Sequence, residues 1–271
     1  MTLSGKRVNI LGAGSSGRAA AALALREGAE VHVYDGREKI DAAIEGATLH
    51  AGITPDSAAA CDLLVVSPGV PTYGELVAAF SREAGETVGE IELASRYYEG
   101  RIIAITGTNG KTTTTELVER VMTASGFATA ACGNYGTPVC EVVMRDPVPQ
   151  VLALEASSFQ LETIAGFRPD VAVWLNFSPD HMDRYESVGQ YRAAKLRIFE
   201  NQRAGDTAVV RHGEELPQLA ASVVTFSTES PEAEWFSDGR RFMHRGELFL
   251  DLHEGSNLRG LHNPENAMAA I

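Results

Sequence analysis

The chain has 271 residues, 44% of them hydrophobic, enough to bury a sizeable core and, at roughly 150 residues per domain, to fill two domains. A net charge of −13 argues against a surface that tracks a nucleic-acid backbone, although a few backbone N–H groups and one lysine can still hold a small anion. Three cysteines, Cys61, Cys132 and Cys140, lack CxxC spacing and disfavour a disulfide framework or a thiolate zinc site; with no secretory h-region and no apolar run near 18 residues, the expectation is a cytoplasmic protein that engages neither membrane nor nucleic acid.

In chain order, "RVNILGAGSSGRAAAALALREGAEVHVYDGR" reads as a strand at Val8 to Leu11, a glycine turn, an Ala/Leu-rich helix to Glu27 and a strand at Val31 to Tyr34, a βαβ unit. "CDLLVVSPGVP" supplies a buried strand, Leu63 to Val66, stopped by Pro68-Gly69, and "GELVAAFSREAG" a helix, so a small parallel sheet follows. The pattern restarts near Tyr98 to Arg101, which places a domain boundary there: 1–98, then 99–271. The second domain opens with a strand at Ile102 to Thr106, a glycine loop and a helix from about Lys111 to Ser125. "VLALEAS" and "VAVWLN" are nearly continuous apolar runs, as parallel strands covered on both faces should be. Because open α/β sheets bind ligands beyond the carboxyl ends of their strands, Glu155, Asn176 and the loop 178–184 fall at a potential site. "AVVRHG" and "VVTFS" read as shorter strands, "RRFMHRGELFLDLHEG" as a hairpin turning at Arg245-Gly246-Glu247, and "HNPENAMAAI" as a helix with Asn263 as N-cap and Pro264 at its first position. The chain stops within that helix, which suggests a shortened chain or a short terminal helix.

Two glycine loops carry chemistry. Gly12-x-Gly14-x-x-Gly17 lies between strand and helix with Asp35 at the end of the next strand, the dinucleotide fingerprint; NAD, another diphosphate such as a UDP-sugar, and a structural turn all fit it. "AITGTNGKTTTTE" ends as a Walker A loop, in which backbone N–H groups cradle phosphates, Lys111 reaches the outer phosphates and Thr112 offers a hydroxyl to Mg²⁺. Its start is irregular, with Ile105 where the general pattern has glycine and Gly107 as the first glycine. In "SVGQYRAAKLRIFENQ", Lys195 falls on the apolar stripe of Val188, Tyr191, Ile198 and Phe199, where it must snorkel, pair or lose its charge. Asp180, His181 and Asp183 follow one strand and Glu155 ends another, a set of hard ligands that suits Mg²⁺ near the Walker loop.

Together, "GTNGKT", "LEASSFQLE", "NFSPDHMDRY" and "YRAAKLRIFEN" resemble the Mur ligases, ATP-dependent amide-bond formers of peptidoglycan synthesis, and within them the branch that adds D-glutamate; the likeness runs from "GAGSSG" to "HNPENAMAA". The resemblance implies an α/β protein in which a Rossmann-like parallel-sheet domain, 1–98, is followed by a P-loop ATPase domain, 99–271, without the family's C-terminal Rossmann-like lid. It reassigns the first fingerprint from NAD to the UDP part of a substrate, with Gly14, Ser15, Ser16, Asp35, Arg37, Ser67, Pro68 and Gly69 around it. Asn134, Gln160 and, more weakly, Ser157 would meet the muramoyl-alanine end.

The implied reaction is acyl-phosphate formation from UDP-N-acetylmuramoyl-L-alanine and ATP, followed by attack of the D-glutamate amine, the work of a carbon–nitrogen ligase. Thr108, Asn109, Gly110, Lys111, Thr112 and Thr113 would hold ATP, with Asn263 and Asn266 near adenine; Lys111, His181 and Lys195 would be catalytic. The resemblance further implies two Mg²⁺ ions, one on Thr112 and Glu155 and one on His181 and Lys195, the lysine as a carbamate. The expected chain is a monomer that binds the UDP substrate and, without the lid, ligates poorly. Another Mur-type ligase and a nucleotide-binding module without turnover are the alternatives, with an NAD-dependent oxidoreductase behind them.

Overall fold

The structure, a computed structural model, describes residues 2–40, 43–252 and 262–271. The first half of the chain forms Arg7–Leu11 (β1), Ser15–Arg26 (α1), Glu30–Asp35 (β2), Thr48–Ala51 (β3), Cys61–Val66 (β4), Glu75–Arg82 (α2), Ala84–Gly89 (β5) and Glu90–Ser95 (α3). Arg101–Thr106 (β6), Lys111–Ala124 (α4), Thr129–Gly133 (β7), Val139–Val142 (α5), Val151–Glu155 (β8), Ser158–Leu161 (α6), Val171–Trp174 (β9) and Val188–Leu196 (α7) follow. The chain then runs through Thr207–Arg211 (β10), Ser222–Ser227 (β11), Trp235–Ser237 (β12), Arg241–His244 (β13), Glu247–Asp251 (β14) and His262–Ala270 (α8). Two compact units emerge: Met1–Glu99 with Cys132–Pro149 and Ser157–Phe167, and Gly100–Ala131 with Gln150–Ala156 and Arg168–Ile271.

The first unit is built on a parallel five-stranded sheet in the order β3-β2-β1-β4-β5. Its strands read as apolar runs because both faces are covered. On one face Leu11, Tyr34, Leu64 and Val66 pack with Val77 and Phe80 of α2; α1, α3 and α5 pack together elsewhere in the unit. The alanines of α1, buried at Ala19, Ala20, Ala21 and Ala24, keep that packing close. Gly17 is required at the start of the helix, since a Cβ there would lie 1.8 Å from the Gly12 carbonyl oxygen. The strand order reverses between β1 and β4, and the loops that follow those two strands flank the switch point where open α/β sheets take ligands. Strands β3 and β5 have no counterpart in the sequence reading. β3 has only half-buried or exposed positions, and β5 begins at Ala84-Gly85, where the helix pattern of α2 gives out.

The second unit carries a nine-stranded sheet, β14-β13-β12-β11-β10-β9-β6-β8-β7. Strand β6 sits between β8 and β9, all three parallel, with Ile105 opposite Glu155 on one side and Val173 on the other. Ile105, Val173, Leu175, Phe226 and Phe242 form a core with Met268 and Ala269 of α8. The hairpin β13–β14 turns at Arg245 (φ 51°) and Gly246 (φ 80°), the two left-handed residues a two-residue type I′ turn needs; residues 253–255, read with it in the sequence, lie outside the described residues. Asn263 is not the cap expected of it: the helix already includes His262, so Asn263 belongs to its first turn. No helix among the described residues is long and apolar enough to cross a membrane.

Candidate functional site

The loop 107–110 joins the carboxyl end of β6 to α4 in the second unit. The irregular Walker pattern has a plain cause: Ile105 is a fully buried strand residue paired to both neighbours, so the loop can begin only at Gly107. Gly110 has φ 85°, and a Cβ there would meet Asn266 Oδ1 at 2.4 Å, which excludes any other residue without rearrangement. Asn176, past the end of β9, shapes the loop from below. Its Oδ1 accepts the Asn109 N–H (2.9 Å), its Nδ2 donates to the Asn109 carbonyl (3.0 Å) and its own carbonyl accepts from Thr108 N–H (3.1 Å). The Thr108 hydroxyl donates to the Ser178 carbonyl and accepts the Ser178 N–H, both at 3.0 Å.

Two lysines converge on one acceptor. Lys111 Nζ donates to the carbonyls of Gly107 and Thr108 (both 3.0 Å), and Lys195 Nζ donates to the same Gly107 carbonyl at 2.8 Å. Lys195 does not snorkel: it is only 2% exposed, and its ammonium lies 4.8 Å from the centroid of the Tyr191 ring. Burial and then the charge of Lys111 push its pKa down to about 7, against the opposing pull of Asp180 and Glu155. Lys111 is lowered too, by burial, with Glu155 and Asp180 resisting.

His181 stands edge-on to the other aromatic partner of this group, its ring centroid 5.8 Å from that of Tyr191, with Nε2 3.7 Å from Asp180 Oδ2. Its φ of 55° is unusual outside glycine, and residues held this way concentrate at functional sites. Tyr191, buried and hydrogen-bonded to Thr108, thus touches both Lys195 and His181. The sequence reading took it only as a residue of the apolar stripe; its signal was the spacing of four to Lys195.

Thr112 Oγ1 donates to Glu155 Oε2 at 2.8 Å, and Glu155 is 3% exposed. A hydroxyl and a buried carboxylate at the mouth of a phosphate loop are the hard oxygen donors that Mg²⁺ takes when phosphates complete its shell. Among the described residues no three His, Cys, Asp or Glu side chains come together as a self-sufficient metal site. Beside the loop a cleft of about 230 Å³ is lined by Asn109, Gly110, Thr113, Asn263 and Asn266, so the two asparagines of α8 do meet the loop.

The first unit holds a cavity of about 660 Å³ at its switch point. Gly14, Ser15, Ser16, Ser67, Pro68 and Gly69 line it from the two loops, Asp35 and Arg37 from the end of β2, and Asn134 and Gln160 from the segments 132–149 and 157–167. Residues far apart in sequence, including these last two, therefore share one wall. Asp35 has no oxygen to spare: Oδ1 accepts from Arg37 N–H (3.0 Å) and Nε (2.8 Å), Oδ2 from Ala13 N–H (2.7 Å) and Arg37 Nη2 (2.9 Å). The Arg37 guanidinium above all holds this carboxyl well below the usual carboxylate range. Ser157 does not line the cavity; its hydroxyl accepts the Gln160 N–H as the N-cap of α6.

Residues 105–271 match the family model described as the Mur ligase middle domain. The chain belongs to the Mur ligase family. Two curated relatives are the UDP-N-acetylmuramoylalanine--D-glutamate ligases of Trichlorobacter lovleyi and Pelobacter propionicus. They are 41% and 42% identical over 100% of this chain, which covers 64% of the length of each. Among solved Mur ligases, UDP-N-acetylmuramate:L-alanyl-gamma-D-glutamyl-meso-diaminopimelate ligase from Neisseria meningitides shares the fold with a TM-score of 0.65 at 18% identity, over 98% of this chain and 92% of that one. MurF ligase from Thermotoga maritima, in complex with ADP, shares it with a TM-score of 0.55 at 18% identity, over 99% and 59%.

Proposed function

We propose that this chain is the substrate- and ATP-binding part of an amide ligase that joins D-glutamate to UDP-N-acetylmuramoyl-L-alanine. One observation supports it most: Lys111, Lys195 and the Thr112–Glu155 pair converge on a single phosphate loop. The names of the curated relatives, at about two-fifths identity, support D-glutamate as the amino acid added. On this reading 1–98 is the UDP-substrate domain and 99–271 the ATPase domain, and the reaction belongs to the cytoplasm.

In the first step a carboxylate oxygen of the substrate's terminal alanine forms a bond to the γ-phosphorus of ATP, and the bond to ADP breaks. In the second, the amine of D-glutamate attacks the acyl carbon, phosphate leaves and the nitrogen gives up a proton. Lys111 exchanges its two loop carbonyls for the outer phosphates of ATP; positioning and charge compensation supply most of the acceleration in such transfers. Thr112 and Glu155 would hold one Mg²⁺, His181 and Lys195 a second, and the ions when bound neutralise phosphate charge.

Lys195 becomes an oxygen ligand only by reacting. Its amine, with a pKa near 7, is substantially neutral at physiological pH and can add to CO₂, forming an N–C bond and losing a proton to give an anionic carbamate. In the first unit, the saturated Asp35 favours a sugar nucleotide over NAD, because no carboxylate oxygen is left to accept a ribose hydroxyl.

Calorimetric titration tests the reading. UDP-N-acetylmuramoyl-L-alanine is expected to bind and NADH not to, with Mg-ATP binding separately. Binding of NADH, or of neither ligand by a folded sample, overturns it.

A further inference from the structure

Glu90 takes no part in any site above, yet it is 1% exposed and tied to a residue fifty positions away: its Oε1 accepts the Cys140 N–H at 2.6 Å, and the Cys140 thiol donates to the Glu90 carbonyl at 3.5 Å. Its neighbour Gly89 donates its N–H to the Thr163 carbonyl at 2.9 Å, and a Cβ on Gly89 would come within 2.1 Å of Thr163 Oγ1. Gly89 and Glu90 therefore grip two segments at once.

Each segment carries a residue of the cavity wall. Six positions before Cys140 stands Asn134, in a loop closed by the Gly133 N–H to the Thr137 carbonyl (3.0 Å) and by the Cys132–Thr137 bridge, so movement at Cys140 reaches it through few free torsions. Three positions before Thr163 stands Gln160, whose carbonyl accepts the Thr163 hydroxyl at 3.3 Å. Elsewhere in the cavity the Gly12 and Ser67 loops are joined independently of this pair, by Ser67 Oγ donating to the Gly12 carbonyl at 3.0 Å. Among the described residues the second carboxyl oxygen of Glu90, buried, has no hydrogen-bond partner. A polar group left half-satisfied in a core costs stability that a well-packed apolar residue would not.

We propose that Gly89 and Glu90 form a clamp that sets the Asn134 and Gln160 wall of the cavity, with Glu90 a positioning residue for the acyl-sugar end of the substrate and not for its nucleotide. The proposal rests on the functional reading above. Burial, which pushes the Glu90 pKa up to about 7, keeps the group largely protonated below neutral pH, so there the bond to Cys140 is that of a neutral acid, which an amide can imitate.

The test compares Glu90→Met, which fills the space without an acceptor, and Glu90→Gln, which keeps one, with the unaltered chain. Dissociation constants are measured for UDP-N-acetylmuramoyl-L-alanine and for UDP alone, and backbone hydrogen exchange is followed without ligand. Glu90→Met is expected to weaken the full substrate at least tenfold and UDP less than twofold, with faster exchange in 133–142; Glu90→Gln should stay within threefold of the unaltered chain in all three. Equal losses for both ligands, or no change in either affinity or exchange, overturn the clamp. Should Glu90→Met lack a cooperative melt, Gly89→Ala attacks the other arm and is read by the same ratio, with exchange in 157–163. If the unaltered chain binds UDP but not the full substrate, the functional reading fails while the exchange data still judge the clamp: faster exchange confined to 133–142 in Glu90→Met supports it, and uniform change removes it.

Discussion

The two glycine loops of this chain, one after β1 and one after β6, share a strand–loop–helix plan and differ in what surrounds them. Around the first stand serine hydroxyls and a guanidinium, Arg37, already clasped by Asp35. Around the second stand two lysines on one carbonyl, a threonine and a buried carboxylate. A loop of the first kind has its charges satisfied internally and is suited to holding a ligand unchanged. A loop of the second kind keeps amines with lowered pKa values pressed against acceptors that a polyphosphate can replace, and is suited to moving charge. The glycines alone do not separate these cases; the residues brought to them by other strands do.

Substitutions that strike one loop should leave the other untouched. The largest effect is expected for Lys111→Ala: ATP-dependent phosphate release should fall on the order of 10³-fold, as for loss of a main transition-state charge partner, while sugar-nucleotide affinity measured by calorimetry changes less than about twofold. An equal loss of both would mean that the loops are not independent.

Next is Asp35→Ala, which releases Arg37 and the Ala13 N–H together. Loss of a charged hydrogen-bonding partner costs about 1.5–3 kcal/mol, so sugar-nucleotide binding should weaken roughly ten- to a hundredfold, with nucleotide triphosphate binding unchanged. A nucleotide effect would sink the comparison.

A smaller effect is expected for the pH dependence of stability. Glu90 has a folded pKa of about 7, above its ordinary value of 4.5. A raised carboxyl pKa means that the folded state retains a proton the unfolded chain releases. The associated stability is full below the unfolded value and is lost as pH rises to the folded one, at about 1.4 kcal/mol per pH unit. Burial raises the thiol of Cys140 well above its ordinary value, so it stays protonated across this window. Glu90→Gln should therefore gain melting temperature over the unaltered chain between about pH 4.5 and 7, and hold a constant gain above; a flat difference would refute the assignment.

Smallest is Ser157→Ala, which removes an N-cap and should cost about 1 kcal/mol in denaturant unfolding with sugar-nucleotide affinity unchanged. A tenfold affinity loss would return Ser157 to the binding surface.

Much of this was legible without coordinates. The apolar runs at Val8 to Leu11, Val151 to Glu155 and Val171 to Trp174 mark strands buried on both faces, and Lys195 betrays itself by standing where the stripe of α7 requires an apolar residue. Strand β5 leaves little trace in the sequence because an edge strand whose early positions are not buried carries little periodicity. Asn-Pro reads in sequence as the start of a helix with Asn263 as its cap, yet helix α8 takes in the preceding residue as well.

What the sequence by itself determined is local: where strands end, where the chain can turn only at glycine, and which side chains are chemically out of place. Tertiary structure alone decided which of these meet. Asn134 and Gln160 come to the wall behind Ser15, Lys195 reaches the Gly107 carbonyl 88 positions away, and the oxygens of Asp35 are spent on Arg37 and Ala13. Local periodicity reports only whether a side chain is buried. Hydrogen bonds and charge pairs depend on distances between elements far apart in sequence, and those distances are set by sheet order and packing.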